Sequence, residues 1–203
     1  MVDRETVTRI RDTYPWASWA VWDEAFPDGE CVETVPKQLA QFIIDRRDQL
    51  TPDVVLLGLN RSDDLAGPFA NFHAPTRKHY DYRLKEFIQD ADLNRLHGGY
   101  MTDLVDEVDP DAASVTVADD DADMFLDQLR LLDQSEYHIL CFGNKPFQGL
   151  SDCFDADPIE GDHEIRHAQT TVNGRTIHMY RVWFYGLYGA NQAKVDVLEA
   201  QLG

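Results

Sequence analysis

The sequence predicts an α/β protein, a three-layer α/β/α sandwich whose central sheet is mainly parallel. Short apolar stretches with the composition of strands alternate along the chain with segments of helical spacing, which is typical of this class. Residues 54–58 are almost continuously apolar, as expected of a parallel strand buried on both faces. The 203 residues contain no repeat, low-complexity linker or break in composition. We therefore predict one domain over residues 1–203, with residues 1–50 as a helical segment packed on the sandwich.

The N-terminal segment contains two predicted helices with an aromatic stretch between them. Residues 5–14 have helical spacing. A second helix is predicted to begin near Val35, because Pro36 suits a first helical turn, and to end before Pro52. The aromatic residues between the helices are Trp16, Trp19, Trp22 and Phe26. Their intervals of three and four residues predict one face of a helix, which we interpret as core packing; the alternative is an aromatic binding surface.

The remaining elements follow from the alternation of apolar runs and helical patterns. Strands are predicted at residues 54–58, 99–102, 137–142, 163–171 and 175–184. Helices are predicted at residues 81–91, 121–132 and 190–202, and another begins after Gly143. Asn173-Gly174 predicts that the last two strands form a hairpin. The loop from Asn60 to about His79 is long enough to favour a functional role.

Acidic residues dominate the charge of the chain. Thirty-seven acidic residues against 18 basic ones give a formal net charge of −19. Runs such as Asp119-Asp120-Asp121 repel one another at low ionic strength, but at molar salt the screening length falls to about 3 Å. We therefore hypothesise a halophilic protein of a salt-rich cytoplasm. The charge disfavours broad nonspecific binding to nucleic acid, although a small arginine-lined site is compatible with it.

The sequence offers no sign of a membrane segment, an export signal or a cofactor. Its apolar runs are too short to cross a bilayer, and its first residues lack the pattern of an export signal. Cys31, Cys141 and Cys153 have no CxxC spacing. We expect a cytoplasmic protein with no membrane partner, no metal and no other cofactor.

Three polar turns follow predicted strands. They are Gly58-Leu59-Asn60-Arg61-Ser62, Thr102-Asp103 and Gly143-Asn144-Lys145. Ligands of open α/β sheets bind beyond the carboxyl ends of the strands, where these turns are expected to converge. The sequence therefore predicts a binding site at this edge of the sheet.

The order and spacing of these turns resemble the uracil-DNA glycosylase superfamily, particularly its branch that acts on mismatched uracil and thymine. Residues 55–62 resemble the strand and Gly-hydrophobic-Asn-Pro-Gly turn of that branch through Asn60, and Arg61 replaces the proline. Residues 67–73 resemble its aromatic loop, and residues 139–145 a later strand with its Gly-Lys turn. Residues 184–191 take the place of the final motif but lack its usual serine, proline and histidine.

The resemblance implies a DNA-repair N-glycosylase that flips a damaged or mismatched base and directs water at the sugar C1′. The implied catalytic residues are Asn60, which would hold the water, and Asp103, which lies where the family's base-reading group is found. The residues implied to hold the base are Gly58, Asn71, Phe72 and His73, with Phe72 as the stacking face. The residues implied to contact DNA are Arg61, Ser62, Asn144, Lys145, Tyr188 and Asn191. The implied partner is DNA or another ligand that contains a nucleobase.

Three of the catalytic and base-binding residues also have a structural interpretation. Asn60 would tighten its turn, Phe72 would belong to the core, and Asp103 would cap the next segment or pair with Arg61. Two other functions stay open: a non-catalytic module on the same fold that binds a nucleotide or a protein, and a small-molecule hydrolase that uses Asp103 and His73. These two are favoured over DNA binding if acidic residues ring the cleft, namely Asp63, Asp64, Asp106 and Glu107.

Overall fold

The computed structural model describes residues 2–22, 35–73, 79–90, 95–159 and 165–183, together with residues 198, 200 and 202. Its helices are α1 (Arg4–Thr13), α2 (Val35–Asp45), α3 (Tyr80–Asp90), α4 (Asp119–Leu132) and α5 (Asn144–Cys153), with a 3₁₀ helix at Arg47–Gln49. Its strands are β1 (Ser18–Trp19), β2 (Thr51–Gly58), β3 (Gly99–Asp103), β4 (Glu136–Phe142), β5 (Asp157–Ile159), β6 (Arg166–Val172) and β7 (Arg175–Val182). The predicted α/β class is confirmed for these residues.

The seven strands form one mixed sheet in the order β1-β3-β2-β4-β7-β6-β5. The four central strands, from β3 to β7, are parallel to one another. The strands at the two edges add antiparallel pairings, β1 with β3, β6 with β7 and β5 with β6. The expectation of a mainly parallel sheet therefore holds for the centre only. The short turn at Asn173-Gly174 returns the chain at once, and such a return produces an antiparallel pair.

The central strands are buried on both faces. In β2, Val55 and Leu57 belong to one buried cluster, whereas Val54 and Leu56 belong to another. Side chains of α1, α2, α4 and α5 join the first cluster, and side chains of α3 join the second. Successive side chains of a strand point to opposite faces, so the continuous apolar run of β2 fits a strand covered on both sides.

Residues 16–22, the described part of the aromatic stretch after α1, are not helical, so this part of the sequence prediction was wrong. Ser18 and Trp19 form β1 and pair with Met101 and Tyr100 of β3. Trp16 and Trp19 are buried, which confirms their interpretation as core residues. Spacing of three and four residues did not distinguish a helix from a short strand, because the backbone here pairs with a neighbouring edge. Phe26 lies outside the described residues.

Pro52 lies inside β2 rather than after α2. Helix α2 ends at Asp45, and the 3₁₀ helix intervenes before the strand begins. Proline lacks an N–H group and therefore fits a strand only at an edge, near its start or at an irregularity. Pro52 is the second residue of β2, and the β2–β3 register shifts between Thr51 and Val55.

The hairpin prediction is confirmed. β6 and β7 pair from Val172 and Arg175 outward, and the turn residues Asn173 and Gly174 have φ values of 53° and 77°. Both values lie in the left-handed region, which Asn and Gly tolerate best. Strand β5 was not predicted. The predicted helix at 190–202 lies mostly outside the described residues, although Leu198 and Leu202 are buried in the second cluster.

Within the described ranges, no helix combines the length and the apolar composition that a membrane crossing requires.

Candidate functional site

The candidate site lies at the carboxyl ends of the central strands. The chain passes from β2 to β3 on one side and then crosses to β4 on the other side of β2. Such a reversal of strand order opens a crevice beyond the strand ends, where ligands of open α/β sheets bind. The residues after β2, β3 and β4 therefore share one edge of the sheet, as predicted.

Gly58 and Asp103 are the last residues of β2 and β3 and face each other in the parallel register. A Cβ atom at position 58 would lie 2.1 Å from Asp103 Oδ1 and 3.4 Å from Phe72 Cζ. Only glycine fits between the Asp103 carboxyl and the Phe72 ring without displacing the carboxyl. The structure thus brings together three of the predicted site residues.

Asn71 fixes the position of the Asp103 carboxyl. Its Nδ2 donates a hydrogen bond of 2.7 Å to Asp103 Oδ2 and a second one of 2.9 Å to the Trp16 carbonyl oxygen. The amide therefore ties the loop before α3 both to the end of β3 and to the segment before β1. Its oxygen Oδ1 takes part in neither bond and keeps its capacity to accept one.

The Asp103 carboxyl has a pKa near neutral pH. Asp103 is 3% exposed, and this burial raises its pKa from the usual 3.8 to about 7. The hydrogen bond from Asn71 lowers the pKa, the nearby charge of Asp81 raises it, and that of Arg61 lowers it again. A buried carboxyl whose pKa lies near 7 is suited to act as a general acid or base.

The loop that covers Asp103 has an unusual backbone. Phe69 and Phe72 both have a φ of 64°, a conformation that bulky residues rarely adopt. Both side chains are buried, and the Ser18 hydroxyl donates a hydrogen bond of 2.9 Å to the Phe69 carbonyl oxygen. Packing and this bond hold the loop in a conformation that costs about 1–3 kcal/mol per residue. The Phe72 ring is 4% exposed.

His73 is a buried, neutral histidine. Its Nε2 lies 3.2 Å from the Trp19 carbonyl oxygen. The centroids of the His73 and Trp22 rings are 5.5 Å apart. Burial lowers its pKa to about 3, with the Trp19 hydrogen bond opposing this shift and Lys85 adding to it. Nε2 therefore donates to Trp19, which leaves Nδ1 as a buried acceptor without a partner among the described residues. His73 is adjacent in sequence to Phe72, but its hydrogen bond holds it against β1.

Asn60 and Arg61 form a closed turn after β2. Asn60 Nδ2 donates to the carbonyl oxygens of Arg61, at 2.9 Å, and Asp109, at 2.8 Å. Arg61 pairs with the Asp106 carboxylate, and its guanidinium lies 5.6 Å from the centre of the Trp16 ring. These bonds show the turn-stabilising role of Asn60. Its Oδ1 takes part in neither bond, so its catalytic role stays a prediction.

The predicted DNA contacts are spread over different environments. Ser62 and Asn144 are exposed, whereas Lys145 donates hydrogen bonds of 2.7–2.9 Å to three carbonyl oxygens of residues 112, 113 and 115. A phosphate contact by Lys145 would replace those bonds. Tyr188 and Asn191 lie outside the described residues. Four acidic residues near the turn are exposed, namely Asp63, Asp64, Asp106 and Glu107.

Three contributors to the site were not predicted from the sequence. Trp16 and Asp109 act through their backbone carbonyl oxygens, for which a sequence carries no signal. Asp81, in the first turn of α3, raises the pKa of Asp103 through its charge. Acidic residues are common in first helical turns, so Asp81 could not be singled out.

One pattern with metal-ligand spacing was also overlooked in the sequence, the run His163-Glu164-Ile165-Arg166-His167. Two histidines in an HExxH pattern share a metal when the segment is helical, because a helix brings residues four apart together. Here His167 lies in β6 instead. Among the described residues, no group of three or more His, Cys, Asp or Glu is arranged to hold a metal ion.

No protein-family model matches the chain, and no curated protein matches it.

Proposed function

We propose that the protein is an N-glycosylase of the uracil-DNA glycosylase type, which removes a damaged or mismatched base from DNA. The observation that carries this proposal is the Asp103 carboxyl, buried against Gly58 between Asn71 and Phe72, with a pKa of about 7. The two buried clusters on opposite faces of the sheet support the three-layer sandwich that the resemblance implies. The crevice between the ends of β2 and β4 is where such a fold binds its ligand.

The proposed chemistry assigns a role to each side chain. Phe72 offers a ring on which a flipped base stacks, and Asn71 Oδ1 accepts a hydrogen bond from the edge of that base. Hydrolysis breaks the bond between the base and C1′ and forms a bond from the water oxygen to C1′. Asn60 Oδ1 accepts a hydrogen bond from that water, and the ionised Asp103 takes its proton. The base leaves with the electron pair of the broken bond and takes up a proton from solvent.

A second candidate function is binding without catalysis on the same fold. Asn60 Nδ2 already donates two hydrogen bonds to carbonyl oxygens. Lys145 Nζ donates hydrogen bonds to the 112–115 segment. The exposed Asp63, Asp64, Asp106 and Glu107 repel a phosphate backbone. These observations favour a free base, a nucleoside or a protein over duplex DNA.

Oligonucleotides that contain uracil, hypoxanthine, xanthine or mismatched thymine test the proposal. Single- and double-stranded forms are incubated with the protein at molar and at moderate KCl, and alkali reveals abasic sites. We expect cleavage whose rate rises with pH through about 7 in the wild type, since Asp103 must be ionised to accept the proton. Asn60→Ala and Asp103→Asn should each lower the rate by about 100-fold or more, and Phe72→Ala should weaken it.

Asp123→Asn is the matched control, because it makes the same chemical change at an exposed position of α4. An unchanged rate in Asp103→Asn would refute the proposed mechanism. Absence of cleavage by folded protein, together with a raised melting temperature in the presence of free bases or nucleosides, would establish the binding function instead.

A further inference from the structure

Three histidines meet on one face of the sheet, away from the candidate site. They are His138 of β4, His178 of β7 and His167 of β6, which we call the histidine cluster. His138 and His178 are paired in register, and their rings stack with centroids 5.0 Å apart and planes 9° apart. The centroids of His167 and His178 are 5.4 Å apart. The cluster joins residues that are 29 and 11 positions apart in sequence and come together only through strand pairing.

The hydrogen bond between His167 and His178 requires that at least one of the two rings is neutral. His167 Nε2 and His178 Nδ1 lie 3.3 Å apart, and such a bond needs one nitrogen that donates and one that accepts. His178 Nε2 lies 3.0 Å from Glu136 Oε1, so Nε2 donates and Nδ1 is left to accept from His167. His138 Nδ1 lies 3.2 Å from the Tyr180 hydroxyl. With a proton on one of these two rings the neutral ring can still accept, whereas protons on both rings leave neither nitrogen able to accept.

Few charges are available to balance added protons. In the described part of the chain, the charged groups that act on the cluster are the carboxylates of Glu136 and Asp53 and the guanidinium of Arg95. Burial lowers the pKa of His138, and Arg95 and His178 lower it further against Glu136 and Asp53. Burial also lowers the pKa of His167, with His178 and His138 adding to the effect.

We propose that the histidine cluster is a pH-sensitive clamp that holds β6 against β7 and opens when a second proton enters it. The first proton is accommodated on His167 or beside Glu136 without loss of the hydrogen bond. The second places two cations within about 5 Å of each other and leaves His178 Nδ1 unable to accept. The repulsion between the two cations acts on His167. In the sheet, His167 is paired with Tyr180 of β7 on one side and with Ile159 of β5 on the other. Acidification therefore loosens β5 and the start of β6.

The direction in which pH acts on the clamp follows from the lowered pKa values of His138 and His167. In the open state His138 and His167 regain their ordinary pKa of 6.5, whereas in the closed state burial lowers the pKa of both rings and they resist protonation. The clamp is fully closed above that pH and weakens as the pH falls below it. Acid opens the clamp and base closes it.

Hydrogen exchange at constant molar KCl tests the clamp. Protection factors, corrected for the intrinsic pH dependence of exchange, are measured for residues 157–172 between about pH 7.5 and about pH 5.0, and NMR follows the ring protons of the three histidines. We expect protection in β5 and the start of β6 to fall about tenfold or more over this range while β2 and β4 keep theirs. We expect the rings to titrate in two separated steps.

Two conservative variants and a control sharpen the test. Glu136→Gln removes the exposed balancing carboxylate, so protection should be lost at a higher pH than in the wild type. His167→Gln removes one titrating ring and should flatten the pH dependence. His79→Gln, at an exposed histidine, should behave as the wild type. Equal protection at both pH values, or the same fall in His167→Gln, would overturn the proposal. A zinc-induced rise in melting temperature that EDTA reverses and His167→Gln abolishes would also overturn it, since the cluster would then be a metal site.

Discussion

At the scale of single residues, the buried carboxyl of Asp103 decides the chemistry that the site can perform. Its pKa of about 7 lies well above the 3.8 of an exposed aspartate. Between these values the folded protein keeps the proton while the unfolded chain loses it. The contribution of this group to stability is therefore fully present below pH 3.8 and is lost as the pH rises through about 7.

The variant Asp103→Asn isolates this effect, because asparagine keeps an acceptor for the Asn71 hydrogen bond and does not titrate. We expect the free energy of unfolding of the wild type to fall relative to the variant by about 1.4 kcal/mol per pH unit between pH 4 and 7. Above pH 7 the difference should stay constant. Urea denaturation at fixed KCl measures it, and Asp123→Asn should show no such slope. If the wild type instead lost stability relative to the variant as the pH fell, the pocket would favour the carboxylate.

At the scale of elements, the close pairing of the ends of β2 and β3 depends on one missing side chain. Gly58 leaves room for Asp103 Oδ1 at the place where a Cβ atom would otherwise lie 2.1 Å away. Gly58→Ala should destabilise the protein by about 1–3 kcal/mol, the range found for overpacked sites. In an Asp103→Ala background the close contact is gone, and the same change should cost markedly less. Equal losses in both backgrounds, measured by urea denaturation, would show that the fit between Gly58 and Asp103 is not the cause.

The elements themselves were largely readable from the sequence. Short apolar runs between segments of helical spacing predicted the central strands, and Asn173-Gly174 predicted the hairpin, because both signals are local. Strand β1 was missed since its two residues become a strand only by pairing with β3. Strand β5 was missed for the same reason. All three of its residues, Asp157–Ile159, are exposed, so the sequence shows no alternation of buried and exposed positions there.

In the candidate site, too, the features that follow from local sequence could be predicted and those that depend on tertiary packing could not. Gly58, Phe72 and Asp103 could be named because they follow strands or lie in the adjoining loop. Their mutual fit, the bridge that Asn71 makes to Trp16, and the burial that shifts the pKa of Asp103 depend on how distant segments pack. Lys145 shows the limit most clearly: no local pattern predicts that its ammonium group donates hydrogen bonds to the 112–115 segment, and its contact with phosphate stays a prediction.

At the scale of the whole molecule, the net charge of −19 leads us to expect that the stability of the protein depends on salt. Mutual repulsion of surface carboxylates opposes the compact state, and salt screens it more strongly as the Debye length falls from about 10 Å at 0.1 M to about 3 Å at 1 M. Exposed carboxylates gather near the candidate site as well, where Asp64 and Glu107 flank the turn after β2. Salt is therefore expected to affect both stability and the approach of a negatively charged ligand.

Melting curves in KCl test the effect on stability. The melting temperature should rise between about 0.1 and 2 M, most steeply at the low end, because the largest reduction in screening length comes there. Salt also strengthens apolar burial, so a charge variant must separate the two causes. Asp64→Asn combined with Glu107→Gln removes two exposed charges and should raise the melting temperature at low salt while leaving it unchanged at 2 M. If the variant gained equally at both concentrations, screening would not be the cause. If the melting temperature fell as KCl rose, the adaptation of this surface to a salt-rich cytoplasm would be refuted.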